Sequence, residues 1–261
     1  MFRLFVVVLK ILPILIWDYF MWILPWSKHP EKIPLEKRWM KVKKLITKVN
    51  RALKLDINVI GKDKIPSGTV CYIANHEGAA DPLAFFEILD NPVAFVGKIE
   101  IKKMPFIGRI FKIAGCLLLD RDDLKQQLKV MMKVQNELKE NKNSWFIYPE
   151  GTRNRDHMAL LLPFHQGTFR AAMKAGVPIV PVINHGSFRV LSTKYSFKKY
   201  PTIVKFLDPI MPSDYEGKST EEVANMVREI IQKELCYSIR GLDHEAMCKL
   251  KSKKYRFNRL Y

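Results

Sequence analysis

The chain has 261 residues, 48% of them apolar and 27% charged, which excludes a disordered chain, a collagen-like repeat and a polytopic transporter. Lys and Arg number 44 against 26 Asp and Glu, and this excess is concentrated: 28–54 holds ten basic residues and two acids, 249–261 holds six and none, and the middle is nearly neutral. Charge confined to two flanks suits a surface that docks on something polyanionic.

At the start of the chain, 19 of the 23 residues from Leu4 to Trp26 are apolar, interrupted by Lys10, Pro13, Asp18 and Pro25. The length suits a bilayer span, but each charge at mid-bilayer costs about 2.5–3.5 kcal/mol. A hairpin or kinked helix lying in one leaflet, with both charges at the interface, is therefore expected ahead of a true span. Trp17, Trp22 and Trp26 crowd this end as an interfacial belt would, which argues against a buried core helix. No Ala or Gly precedes Ala52 to build a small-residue cleavage site, so an anchor is expected ahead of a cleaved signal peptide.

Leu35, Trp39, Val42, Ile46, Val49 and Leu53 follow at helical spacing and form one apolar stripe among lysines. The stripe packs on the protein body, or it lies on the membrane while the lysines reach anionic head groups. Basic residues just beyond an apolar anchor place this side in the cytoplasm. The run 249–261 reads either as a second contact of the same kind or as a solvated tail. Nucleic acid is disfavoured as the polyanion, because the basic stretches flank an apolar anchor and the middle offers no basic groove. The organisation expected is an anchor over 1–56, an α/β domain over 57–248 and a basic tail over 249–261.

In the middle, strands are predicted at Asn58 to Ile60, Val70 to Ala74, Val93 to Val96, Cys116 to Leu119, Trp145 to Tyr148, Ile179 to Ile183 and Ile203 to Leu207. Helices are predicted at Pro82 to Leu89, Pro105 to Ala114, Asp123 to Lys139, Gly167 to Ala175 and Thr220 to Tyr237. Alternating strands and helices imply an α/β sheet with a ligand site beyond the strand carboxyl ends. Cys71, Cys116, Cys236 and Cys248 show no CxxC spacing, so free thiols in a reducing compartment are expected, without a disulfide or metal framework.

Polar clusters fall at the predicted strand exits. After Ala74 comes Asn75-His76-Glu77-Gly78-Ala79-Ala80-Asp81-Pro82, in which Asp81 and Pro82 make a helix start. On a continuous helix His76 and Asp81 would point about 140° apart, so only a loop lets them meet. A carboxylate holding one imidazole nitrogen leaves the other as a base for a hydroxyl proton. Asp120-Arg121 and Tyr148-Pro149-Glu150-Gly151-Thr152-Arg153 each put an arginine at a strand exit, to grip a phosphate or to remain a surface ion pair. Val177-Pro178-Ile179-Val180-Pro181-Val182, broken by prolines, reads as an edge strand.

Taken in order, His-four residues-Asp, Asp-Arg, Pro-Glu-Gly-Thr-Arg and Val-Pro-Ile-Val-Pro resemble the glycerolipid acyltransferase family, over roughly 57–207. The resemblance implies a mixed central sheet flanked by helices, glycerol-3-phosphate acyltransferase-like, with an N-terminal helical membrane-anchoring motif. It implies His76 as general base and Asp81 as its orienting partner. Arg121 and Arg153 would bind the acceptor phosphate, Glu150, Gly151 and Thr152 would shape that pocket, and Lys98 would be a further phosphate-facing cation. The implied reaction moves an acyl group from an acyl carrier protein or coenzyme A thioester to the free hydroxyl of lysophosphatidic acid, with no metal and no bound cofactor. The alternatives are another acceptor, such as glycerol 3-phosphate or a different lysolipid, and a silent lipid binder of the same fold. Glu77 and Gly78 stand where family members usually carry a polar residue and a serine, and Tyr148 stands where phenylalanine is common.

Overall fold

The apolar N-terminal run folds as helical segments in series: α1 (Phe2–Asp18), a π-turn (Tyr19–Ile23) and α2 (Leu24–Lys28). The structure, a computed structural model, describes residues 2–155, 160–192, 194 and 197–249. Among these, Phe5–Lys28 is the one stretch long and apolar enough to cross a membrane, by length and composition. Its outer face leaves Phe5, Leu9, Ile16, Trp17, Phe20 and Met21 exposed, and Trp17 keeps 66% of its surface. Trp22 departs from the expected belt: it is buried, and its ring meets that of the half-buried Trp26 at 5.5 Å. The wider π-turn changes the phase of the helix and swings these rings onto the body. Asp18 is likewise buried, and it lines a cavity of about 370 Å³ with Lys41, Lys43, Lys44, Lys48 and Arg51 rather than reaching open solvent.

α3 (Leu35–Leu53) carries the apolar stripe. Trp39, Val42, Leu45 and Ile46 enter the main core, so the stripe packs on the body. Each fully buried side chain of this size contributes about 1.5–3 kcal/mol. Asn50, buried on the same face, donates to the Leu83 carbonyl at 2.9 Å and to Glu87 at 2.6 Å, latching α3 to the helix that follows the first polar cluster.

The remaining elements alternate as predicted. They are β1 (Leu55–Ile60), β2 (Cys71–Ala74), α4 (Asp81–Ile88), β3 (Val93–Lys98), α5 (Pro105–Ile113), β4 (Leu117–Leu119) and α6 (Leu124–Lys139). Then come β5 (Ser144–Ile147), α7 (Gly167–Ala175), β6 (Ile179–His185), β7 (Tyr200–Phe206), α8 (Pro212–Tyr215), α9 (Thr220–Glu234) and α10 (Arg240–Lys249). The strands form one mixed sheet in the order β1-β7-β6-β2-β5-β3-β4. All neighbours are parallel except β6 and β7, so β2, β3, β4, β5 and β6 deliver their carboxyl ends to one edge. That edge is where a parallel sheet holds its ligand.

Two expectations change. β6 is a central strand, paired with β2 on one side and β7 on the other, although Pro181 sits inside it. The Pro181 carbonyl accepts from Leu207 beyond the end of β7, so the missing N–H falls where the β6–β7 ladder has already stopped. The helix predicted over Thr220 to Tyr237 ends at Glu234 and passes through a second π-turn, Leu235–Ile239, into α10. Cys71, Cys116 and Cys236 are free thiols; the side chain of Cys248 and the basic run beyond Lys249 lie outside the described residues.

Candidate active site

The first polar cluster leaves β2 as a tight loop and returns into α4 within seven residues. Asp81 is the first residue of α4 rather than its N-cap, a position held by Ala80. Its carboxylate turns back instead of capping its own helix. Oδ2 accepts from the ring Nδ1 of His76 at 2.7 Å, from the Glu77 N–H at 2.8 Å and from the Gly78 N–H at 3.1 Å. Asp81 is fully buried, and the His76 ring keeps 19% of its side-chain surface. With Nδ1–H donated to Asp81, the second ring nitrogen, Nε2, carries the lone pair. The ring is also stacked on Tyr148, with centroids 4.2 Å apart and planes 20° apart.

The Glu150 loop holds the backbone of His76 from both sides. Glu150 Oε1 accepts the His76 N–H at 2.8 Å, and the Asn154 N–H donates to the His76 carbonyl at 2.7 Å. The second Glu150 oxygen accepts from the Leu162 N–H at 3.1 Å. Glu150 is 3% exposed; burial raises its pKa, and these two N–H donors oppose the rise. Its carboxylate therefore braces the His76 loop and does not open to a ligand. Gly151 adopts φ +64°, and a Cβ there would come within 2.8 Å of His165 Nε2, so both conformation and contact require glycine. Thr152 and Arg153 follow on the exposed side of the same loop.

Lys98 and Arg121 come from the tips of the adjacent parallel strands β3 and β4, where Lys98 is in register with Leu119. Both are exposed. Lys98 forms an ion pair with Glu100, and that hydrogen bond, with a smaller pull from Arg121, holds Glu100 below the usual carboxylate range. Hydrogen bonds thus join His76, Asp81 and Glu150, and Gly151, Thr152 and Arg153 share the loop that clamps His76. Lys98 and Arg121 form a separate basic cluster along the same sheet edge. Among the described residues no group of His, Cys, Asp and Glu is arranged to hold a metal ion.

A family model described as Acyltransferase matches residues 56–184. A 1-acyl-sn-glycerol-3-phosphate acyltransferase of Saccharomyces cerevisiae is 30% identical over 178 residues, which is 68% of this chain and 59% of the yeast protein. A protein of the same name from Escherichia coli is 34% identical over 171 residues, 64% of this chain and 67% of the bacterial one. The chain belongs to the acyltransferase family. The crystal structure of the 1-acyl-sn-glycerophosphate (LPA) acyltransferase of Thermotoga maritima shares the fold, with a TM-score of 0.70 at 23% identity over 88% of this chain and 92% of that one.

In this acyltransferase-family chain the site contains residues that sequence reasoning leaves out. Ser187, in the turn after β6, donates its hydroxyl to Asp81 Oδ1. His185, the last residue of β6, pairs through Nδ1 with Glu77 at 2.7 Å. Both belong to Asn184-His185-Gly186-Ser187, a polar cluster at a strand exit of the kind that points to His76 and Arg153.

Proposed function

We propose that the chain transfers a fatty acyl group from an acyl thioester to the sn-2 hydroxyl of 1-acyl-glycerol-3-phosphate, making phosphatidic acid for phospholipid synthesis. The observation that carries this reading is the 2.7 Å contact between His76 Nδ1 and Asp81, which leaves Nε2 as a base at the exit of β2. The names of the yeast and bacterial relatives support the choice of acceptor.

In the reaction, His76 Nε2 takes the hydroxyl proton as the oxygen attacks the thioester carbonyl. The tetrahedral intermediate collapses, its C–S bond breaks, and the imidazolium returns the proton to the departing thiolate. Asp81 keeps the imidazole in one tautomer and one orientation. Arg121 and Arg153, with Lys98, hold the acceptor phosphate and so place the hydroxyl, while Thr152 and Gly151 shape the loop around it. The donor is an acyl carrier protein or coenzyme A thioester, and no bound cofactor enters the step.

Residues 1–56 anchor the protein in one leaflet from the cytoplasmic side, with the exposed face of α1 in the acyl region and the lysines of α3 at anionic head groups. Residues 57–248 form the catalytic domain, and 249–261 adds a basic contact. The partners are thus anionic phospholipid, lysophosphatidic acid and the acyl thioester, not nucleic acid.

The test is turnover of a radiolabelled acyl thioester by membrane-bound protein with lysophosphatidic acid, glycerol 3-phosphate and other lysolipids offered side by side. His76→Ala is expected to lower kcat by about 10²–10⁴-fold, the range for a lost general base, while Arg153→Ala chiefly raises the acceptor KM. Near-normal turnover by folded His76→Ala protein would remove the mechanism, and preference for another acceptor would remove the substrate assignment.

A further inference from the structure

We propose that Ser187 is a positioning residue for the His76–Asp81 pair, fixing the carboxylate that steers the base. The inference rests on the acyl-transfer reading above.

Asp81 is buried completely, so each carboxylate oxygen depends on a protein donor. Oδ2 is served by His76 and two backbone N–H groups. Oδ1 receives the Ser187 hydroxyl, from a residue 106 positions away in sequence. The direction of that hydroxyl is determined, because Asn184 Nδ2 donates to Ser187 Oγ at 3.2 Å and Ser187 then turns its own proton to Asp81.

The turn that carries Ser187 is held on two sides. Asn75, which precedes His76, exchanges two hydrogen bonds with the backbone of Asn184: the Asn184 N–H reaches Asn75 Oδ1 at 2.9 Å, and Asn75 Nδ2 reaches the Asn184 carbonyl at 2.8 Å. Glu77, which follows His76, accepts from His185 Nδ1 at 2.7 Å and from the Gly186 N–H at 3.2 Å. Arg189 at the end of the turn donates twice to Asp243 of α10, at 2.7 and 2.5 Å, and Asp243 also lies 3.4 Å from His185 Nε2. A Cβ on Gly78 would come within 2.8 Å of Phe188 Cα, so the two loops are already at closest approach. Glycine is also needed at 186, where φ is +97° and a Cβ would meet the Pro201 carbonyl at 2.5 Å.

This construction makes a hydrogen-bonded series, Asn184 to Ser187 to Asp81 to His76. Ser187 draws negative charge toward Oδ1. Without it the charge gathers on Oδ2, the imidazolium is held more strongly, and the ring loses one constraint on its angle. The other titratable groups packed around the pair are Tyr148 against the ring, Glu150 at the His76 N–H, and Glu77 with His185 beyond the loop.

The experiment uses the full chain in anionic phospholipid vesicles, with Ser187→Ala made in the wild type and in Asp81→Asn. In the wild type, kcat is expected to fall about tenfold to a hundredfold, the range for a lost hydrogen bond to a charged group, with acceptor KM unchanged. The acid limb of the kcat/KM profile is expected to move to higher pH. In the Asp81→Asn background the same substitution should lower kcat little further. A second readout needs no substrate: ¹⁵N titration of the His76 ring in detergent-solubilised protein, its signal assigned by loss in His76→Gln, should shift upward in Ser187→Ala. Equal losses in both backgrounds, or a loss that leaves the acid limb and the ring titration in place, would overturn the proposal. A shifted ring in a protein that transfers nothing to lysophosphatidic acid would retain the positioning role and remove the acceptor assignment instead.

Discussion

At the exits of β2 and β6, His76, Glu77, Asp81 and His185 are tied into buried hydrogen bonds, whereas Lys98, Arg121 and Arg153 stand exposed at or beyond the exits of β3, β4 and β5. One sheet edge therefore carries two kinds of polar group, buried and bonded at one end and exposed at the other. The half we propose for proton transfer is held by hydrogen bonds within the chain itself, which fix the His76 ring on Asp81. The cationic half is exposed, with Lys98 paired to Glu100, and the phosphate we propose for it would gain charge-assisted bonds in exchange for that pair. Substitutions in the first half should change stability and kcat, and those in the second should change KM and its salt dependence.

The largest effect is expected at Glu77. Buried His185 and Arg189 are balanced by the buried carboxylates of Glu77 and Asp243. Burial by itself lowers the His185 pKa, but the two carboxylates raise it to about 9. For Asp243 burial acts upward, and its bonds to His185 and Arg189 outweigh that and hold it below the ordinary carboxylate range. The stabilisation from His185 is therefore complete below its unfolded value of about 6.5 and is lost as pH rises through about 9. That from Asp243 is present above the normal carboxylate pKa and is lost in acid. Glu77→Gln removes the carboxylate paired with buried His185 at 2.7 Å, and a loss of about 3–5 kcal/mol is expected. It should also shrink the fall of Tm between neutral pH and pH 9. An unchanged Tm profile would mean that the buried half is held by packing and not by charge.

The contrast was half legible in the sequence. The strands appear as short apolar runs between turn residues, whether fully buried as β2, β5 and β6 or half-buried as β1 and β4, and all seven are found within a few residues of the expected places. The dyad could be anticipated as a loop contact, because a helix would separate His76 from Asp81. What the sequence hides is where a carboxylate spends its bonds. Asp before Pro is the same signal whether the side chain caps α4 or turns back to residues 76–78, and here it turns back. Glu150 sits in a motif suggestive of a ligand pocket, yet its oxygens go to the N–H groups of His76 and Leu162. Ser187 lies beyond a strand whose prolines suggest a sheet edge, so its exit attracts no notice until β6 is seen at the centre beside β2.

A smaller effect is expected in the exposed half. Arg121→Ala should raise the acceptor KM by about tenfold with kcat nearly unchanged, in line with one charge-assisted contact. Raising salt should weaken wild-type acceptor binding more than that of the variant, because exposed charges are screened. Kinetics at two ionic strengths decide this. A fall in kcat at constant KM would move Arg121 into the preassembled half and dissolve the contrast.

The smallest effect is expected at Tyr148, which sits on the boundary. Its ring stacks on His76, but its hydroxyl is buried without a hydrogen-bond partner among the described residues. Burial, and then the charge of Asp81, push its pKa well above the ordinary phenol range, so it stays protonated. A buried hydroxyl with no partner costs about 1–3 kcal/mol, which Tyr148→Phe would relieve while keeping the stacked ring. The variant should melt a few degrees higher and retain kcat within about twofold. If kcat instead falls tenfold or more while Tm rises, the hydroxyl is a donor waiting for charge that develops only on the reacting carbonyl. Stability would then have been exchanged for transition-state binding, and the orphaned group would belong to the catalytic half after all.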